Sequence, residues 1–190
     1  MAVTPSTMMA LGTPLPNFHL PAANPEVDGN GSDGMWGSSS YPNAEGLVVA
    51  FTCNHCPYAV DVEDRLIALA KRSQQRDVPF IAICSNNAET HPGDSFEAMA
   101  RRAREKSFPF PYVRDESQDV ARAFHAACTP EFYLFDSKRK LVYRGQLDDG
   151  RPGTRPTGNH LETAIDQLLA GKDISVQQVP SVGCNIKWKD

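Results

Sequence analysis

Leu47-Val48-Val49-Ala50-Phe51-Thr52-Cys53-Asn54-His55-Cys56-Pro57 carries the chain from an apolar run into a dithiol and then into a proline that can open a helix. A short unbroken apolar run reads as a strand buried on both faces. Beyond Pro57, the residues Ala59, Val62, Leu66, Leu69 and Ala70 recur at helical spacing. Asp61, Glu63 and Asp64 come early and Lys71 and Arg72 late, matching the helix dipole, so a helix is predicted over 57–72. The CxxC pair therefore falls at a strand-to-helix junction. Backbone N–H groups and the positive dipole end stabilise a thiolate there, and can bring a cysteine pKa from about 8.5 into the range of roughly 3.5 to 7.5.

Strands alternate with helices on either side of this junction, which favours a mostly parallel α/β sheet. An extended piece is expected at 17–20. The segment 24–46, rich in Gly, Ser, Asp and Pro, is long for a structureless loop, so a short hairpin turned at Asp28-Gly29 or Asp33-Gly34 is expected within it. Residues 78–84 supply the next strand and complete a βαβ unit. Asp94-Ser95-Phe96-Glu97 reads as a capping pair, opening a helix with Phe96, Met99, Ala100 and Ala103 on its apolar stripe. A strand at 110–113 and a helix at 117–126 follow. Two short strands, 132–135 and 141–144, flank a polar turn and add an antiparallel hairpin. The last helix, 160–169, stops at Gly171.

With 190 residues and 41% hydrophobic content, the chain can bury one good core. A net charge of −4 leaves no basic field for nucleic acid. Arg101, Arg102 and Arg104, and likewise Lys138-Arg139-Lys140, read as solvated surface. Residues 1–11 hold no basic leader and a four-residue apolar run, so neither a signal peptide nor a membrane span is expected, and a cytoplasmic location is. Five cysteines in such a compartment argue for redox, catalytic or metal use over a static disulfide framework.

From about Gly12 to Leu169 the sequence resembles the thioredoxin-like superfamily, and more narrowly its redoxin group of AhpC/TSA, peroxiredoxin-like and TlpA-like proteins. The resemblance rests on Gly12-Thr13-Pro14-Leu15-Pro16-Asn17-Phe18, on Phe51 through Pro57, on Asp115 through Phe124, and on Thr129-Pro130-Glu131-Phe132-Tyr133-Leu134-Phe135-Asp136. It implies a single domain over 1–190, a three-layer α/β/α sandwich around a mixed sheet. An N-terminal β extension (1–46), an inserted helix and a C-terminal tail (171–190) would decorate it. It also implies that Pro130 is a cis-proline facing the dithiol, with Gly145 bordering the same surface. The tail sequence Gly183-Cys184-Asn185-Ile186-Lys187-Trp188-Lys189 resembles that of a subgroup described as thioredoxin-family proteins.

By position in such a pair, Cys53 is expected to cap the helix with its sulfur exposed and to attack, while Cys56, about a turn further in, resolves the mixed disulfide. His55 either favours the Cys53 thiolate or is a solvent-facing turn residue. Cys84 reads as core. Cys128, two residues before Pro130, either forms an alternative disulfide or packs. Cys184 is either a further resolving thiol or part of a docked tail. A metal site built from Cys53, Cys56 and a third thiol or His125 lacks a second ligand pair at zinc-like spacing, so neither metal nor cofactor is expected. The loop 146–156 either shapes partner access or is a surface loop with a salt bridge such as Asp149 to Arg151.

The expected activity is thiol–disulfide exchange on a protein or small-molecule disulfide, recharged by a reductase, without nucleic acid or membrane partners. Two alternatives stay open, a thiol peroxidase with Cys53 reacting with peroxide and a redox-inert binding module. The resemblance disfavours the first, because peroxiredoxins place a threonine three residues before the peroxide-reactive cysteine, whereas here the residue three before Cys56 is Cys53 and the residue three after Thr52 is His55.

Overall fold

The computed structural model describes residues 3–27, 31 and 33–189. The chain opens with the short strands β1 (Val3–Pro5), β2 (His19–Pro21) and β3 (Met35–Gly37), followed by β4 (Gly46–Phe51) and helix α1 (Pro57–Gln74). Next come β5 (Phe80–Cys84), a 3-10 turn at Pro92–Asp94, α2 (Phe96–Lys106) and β6 (Tyr112–Arg114). The remainder supplies α3 (Asp119–Ala123), β7 (Cys128–Thr129), β8 (Glu131–Asp136), β9 (Leu141–Gly145), α4 (His160–Leu169) and β10 (Val182–Asn185).

Among the described residues the central sheet has the order β6-β5-β4-β8-β9. β4, β5 and β6 run parallel, whereas β8 and β9 run antiparallel to their neighbours. Side chains alternate across a strand, and that alternation sorts the layers. Val48 and Ala50 of β4 join a cluster with Leu66 of α1, Met99 of α2 and Leu161 of α4. Leu47, Val49 and Phe51 point the other way, into a cluster with Phe18, Trp36 and the α3 residues Val120 and Ala121. Both faces of β4 are covered, which is why its sequence is apolar throughout. The result is the expected thioredoxin-like α/β/α sandwich, with the N-terminal hairpin sharing the second layer with α3.

The hairpin exists, and its strands are β2 and β3, paired antiparallel. Asp33 and Gly34 take positive φ values of 53° and 73° before β3, while Asp28-Gly29 lies outside the described residues. Three local expectations are corrected. The helix at 117–126 shortens to α3, entered by Gln118 at φ 67° and followed by His125 at φ 51°. On α2, Phe96 faces solvent and Ala98 takes the inward place beside Met99 and Ala103. The cap of α2 is Ser95 alone, accepting from the Ala98 N–H at 3.3 Å; Asp94 has been drawn elsewhere.

The C-terminal tail forms an element of its own. β10 lies between β1 and β7, antiparallel to both, in a second sheet beside the central one. Its register sets Cys184 opposite Thr129. Ile186 then buries itself in the second core cluster, and Lys187 is held by Asn86, Asn87 and Gln118.

Candidate active site

Pro57 sets the local geometry. It lacks an N–H and suits the first helical position, and its ring disfavours the α region for the residue before it. Cys56 is accordingly extended, at φ −72° and ψ 122°, and is the N-cap of α1. The expectation that Cys53 caps the helix, with Cys56 a turn further in, is corrected: the cap is Cys56, and Cys53 sits in the loop between β4 and α1.

The Thr129-Pro130 peptide is cis and its loop faces the dithiol. Cys53 Sγ lies 3.3 Å from Thr129 Oγ1, and the Cys56 thiol lies 3.2 Å from the Thr129 carbonyl oxygen. A third sulfur completes the cluster, since Cys184 Sγ lies 2.7 Å from Cys56 Sγ. Gly183 permits this approach. A Cβ there would stand 2.0 Å from the Thr129 carbonyl oxygen, so a side chain would push β10 off the proline loop.

Charge in the cluster settles on Cys56. Hydrogen bonding from the Cys53 thiol lowers its pKa most, with further lowering from the Cys184 thiol and from the amides of Ala59 and Cys184, and against burial these hold it at about 5. Cys56 makes no side-chain cap hydrogen bond of normal geometry, yet as N-cap it still lies near the free amides of the first turn. Cys53 is driven upward by the same pairing, then by burial and by the Asp94 carboxylate. Burial, then the bond to Cys56, pushes Cys184 up to about 12. The mutual hydrogen bonds therefore favour the charged form at Cys56 over Cys53 and Cys184.

Asp94 is the site residue that the sequence hid behind a capping signature. Fully buried, it accepts from the Asn54 backbone N–H at 2.8 Å, pairs with His55 Nδ1 at 2.6 Å, and accepts from Asn86 Nδ2 at 2.7 Å. It therefore ties the CxxC loop to the turn before α2. His55 is not a free solvent-facing residue: its ring stacks on His91 with centroids 4.9 Å apart, and its buried Nε2 has no hydrogen-bond partner. Arg114, also unforeseen, reaches the Asp94 carbonyl oxygen at 3.1 Å and Cys84 Sγ at 3.8 Å. Sulfur, imidazole nitrogen and carboxylate oxygen from Cys53, His55 and Asp94 gather within 4.8 Å of one another. This is not the donor set weighed from the sequence, and a cation there would compete with the three bonds Asp94 already makes.

The remaining cysteines behave as packed thiols. Burial pushes Cys84 up to about 12. Cys128 contacts the carbonyls of Pro130 and Ser181 and the carboxylate of Glu131 at 3.8 to 3.9 Å, and burial moves its pKa upward. Glu131 is itself buried, accepting from Ser6 and from the Ala127 amide.

The sulfurs are sealed. Cys53 is 3% exposed, Cys56 0% and Cys184 3%, against the expectation of an exposed Cys53. Beside Pro130, the cleft bordered by Tyr58, Gln146, Arg151 and Val182 holds about 20 Å³ of space, enough for about one water. The loop after β9 does border this surface. Its ion pair, however, is Asp148 with Arg65 at 2.6 Å, while Asp149 turns to Thr157 and Gly158 and Arg151 to Gly150 and Gln146. A roomier cleft of about 380 Å³ lies between Tyr41 and Pro79 at the other end of β4 and is lined by no cysteine.

A mixed sheet that presents a CxxC pair at a helix start, opposite a cis-proline, is the arrangement of the redoxin class. The chain belongs to the AhpC/TSA family, whose sequence model matches residues 11–144. None of the curated proteins matches it. Among solved structures, an uncharacterized conserved protein from Geobacillus kaustophilus is 43% identical, with a TM-score of 0.92 over 100% of this chain and 97% of that one. A hypothetical protein from Sinorhizobium meliloti is 39% identical, with a TM-score of 0.90 over 98% of both. A thiol:disulfide interchange protein from Chlorobium tepidum shares the fold at 16% identity, with a TM-score of 0.59 over 86% of this chain and 97% of that one. Family membership supports a redox enzyme. Among the described residues no helix is long and apolar enough to cross a membrane.

Proposed function

We propose that the protein is a thiol–disulfide oxidoreductase acting through Cys53 and Cys56, with the roles assigned from the charge distribution. The Cys56 thiolate attacks a disulfide of a protein or small molecule, and Cys53 resolves the mixed disulfide to form Cys53–Cys56. The single observation carrying this reading is the placement of the Cys53 and Cys56 sulfurs at the start of α1, against the cis Thr129-Pro130 loop. The thiolate is the attacking form, and a pKa near or below ambient pH keeps it populated. A separate reductant of thiol class would return the pair to the dithiol.

The sealed site favours a second reading. Sulfurs this covered are reached more readily by a small hydroperoxide than by the disulfide of a folded protein. In that reaction Cys56 attacks the terminal peroxide oxygen, becomes a sulfenic acid and releases an alcohol or water; Cys53 then condenses with it, forming the disulfide and a second water.

Reduction of insulin disulfides, set beside consumption of hydrogen peroxide, separates the two. Activity in the first assay that vanishes in Cys56→Ser supports exchange, and activity confined to the second supports the peroxidase. Inactivity in both, with Cys56 alkylated no faster than a free thiol at pH 6, would leave a binding module.

A further inference from the structure

The C-terminal strand brings a third sulfur to the site. β10 pairs antiparallel with β7, the short strand that ends at the cis-proline, and the register of Cys184 opposite Thr129 puts its side chain on the dithiol. This placement is held from several directions. β1 pairs along the other edge of β10, Ile186 is sunk in the core, and the Lys187 carbonyl oxygen accepts from the Asn87 amide and from Gln118. Gly183 provides the close approach that a side chain would block. A thiol serving only as filler has no need to meet another sulfur, whereas Cys184 Sγ sits 2.7 Å from Cys56 Sγ.

The geometry points to Cys184 as a third redox-active thiol, which closes a Cys56–Cys184 disulfide and so makes the C-terminal strand a second resolving arm. This rests on the thiol–disulfide reading above and adds to it a partner for Cys56. After Cys56 has attacked RS–SR′ and expelled R′S⁻, the Cys184 sulfur attacks Cys56 in the mixed disulfide. The Cys56–Cys184 bond forms, RS⁻ departs, and the Cys184 proton passes to it. Two electrons have moved from the protein to the substrate, which leaves as RSH and R′S⁻. On this second route Cys53 stays reduced, and the oxidised protein carries its disulfide between α1 and the tail, locked closed across the proline loop.

The bond is directly observable. Trypsin places Cys53 and Cys56 together in a peptide spanning 1–65 and Cys184 in one spanning 173–187, with Cys84 and Cys128 in others. The full chain is oxidised with diamide, quenched in acid, blocked with N-ethylmaleimide and digested without reductant. The expected result is a covalent link between peptides 1–65 and 173–187, with fragmentation assigning the bond to Cys56, retained in Cys53→Ser and lost in Cys56→Ser. In Cys184→Ser the disulfide shifts to Cys53–Cys56. If Cys184 is fully alkylated in the wild type while Cys53–Cys56 forms, the inference falls and the dithiol reading stands. If no disulfide forms in any of these proteins, the dithiol reading falls with it. Because the wild-type digest decides by itself, poor folding of a variant leaves the answer intact.

Discussion

The Asp94 carboxylate accepts a hydrogen bond from the backbone N–H of Asn54, inside the CxxC loop, at 2.8 Å. One buried carboxylate thereby joins the turn before α2 to the loop before α1, which it holds a second time through His55, and through Asn86 it is tied to the chain after β5. Hydrogen bonds to a charged group contribute about 1.5–3 kcal/mol each, and removing one partner of a buried network costs more than a surface substitution. Asp94→Ala should lower stability by about 3 kcal/mol in urea unfolding and leave the loop less protected in hydrogen exchange. A loss below about 0.5 kcal/mol would show that the loop is held by packing instead.

Thiolate formation should report where the charge lies. Followed by ultraviolet absorbance, the reduced protein should titrate one thiol with a midpoint near pH 5. The lowering is led by the Cys53 hydrogen bond, so Cys53→Ser should move that midpoint, whereas Cys56→Ser should abolish the acidic titration. The depressed pKa also has a stability sign. Its contribution is complete above the unfolded value of about 8.5, declines as pH falls, and is gone below about 5. An acidic titration that survives in Cys56→Ser would put the charge on another sulfur.

Alkaline pH should act in the opposite sense. Cys84 is pushed up to about 12 by burial, so above about pH 8.5 the unfolded chain releases a proton that the folded chain keeps. Folding stability should therefore fall as pH rises, by up to about 1.4 kcal/mol per pH unit for that one group. Urea midpoints for wild type and Cys84→Ala between pH 8 and 10 would check this, with the variant showing the shallower slope; parallel curves would contradict it.

Gly183→Ala should loosen the tail. A Cβ 2.0 Å from the Thr129 carbonyl oxygen cannot be accommodated by a rotamer change, because the obstacle is backbone. Overpacking of this kind costs typically 1–3 kcal/mol. The variant should melt earlier and should be alkylated faster at Cys56 than the wild type. An unchanged alkylation rate would mean that β10 does not gate the thiolate.

Much of the fold was legible in the chain because the signals are local. The apolar run ahead of Cys53 is β4, the spacing from Ala59 to Ala70 is α1, and Pro130 is the cis residue that the resemblance implied. Which thiol carries the charge was not legible from spacing alone. Pro57 contained part of the answer, since its steric demand makes the residue before it the cap. The rest depends on donors distant in sequence, and Cys184 lies 128 residues from Cys56. Asp94 illustrates the same limit: beside Ser95 and Glu97 it looks like a cap, and only the packing of its turn against the CxxC loop gives it another role.

By itself, then, the sequence determined the alternating elements, the layers they pack into and the presence of a dithiol at a helix start, because periodicity, proline and dipole act over a few residues. The tertiary structure decided which thiol is favoured for the charge, that all three are covered, and that the tail delivers the third. Those depend on hydrogen bonds and burial between β10, the proline loop and α1, which no local pattern in the chain encodes.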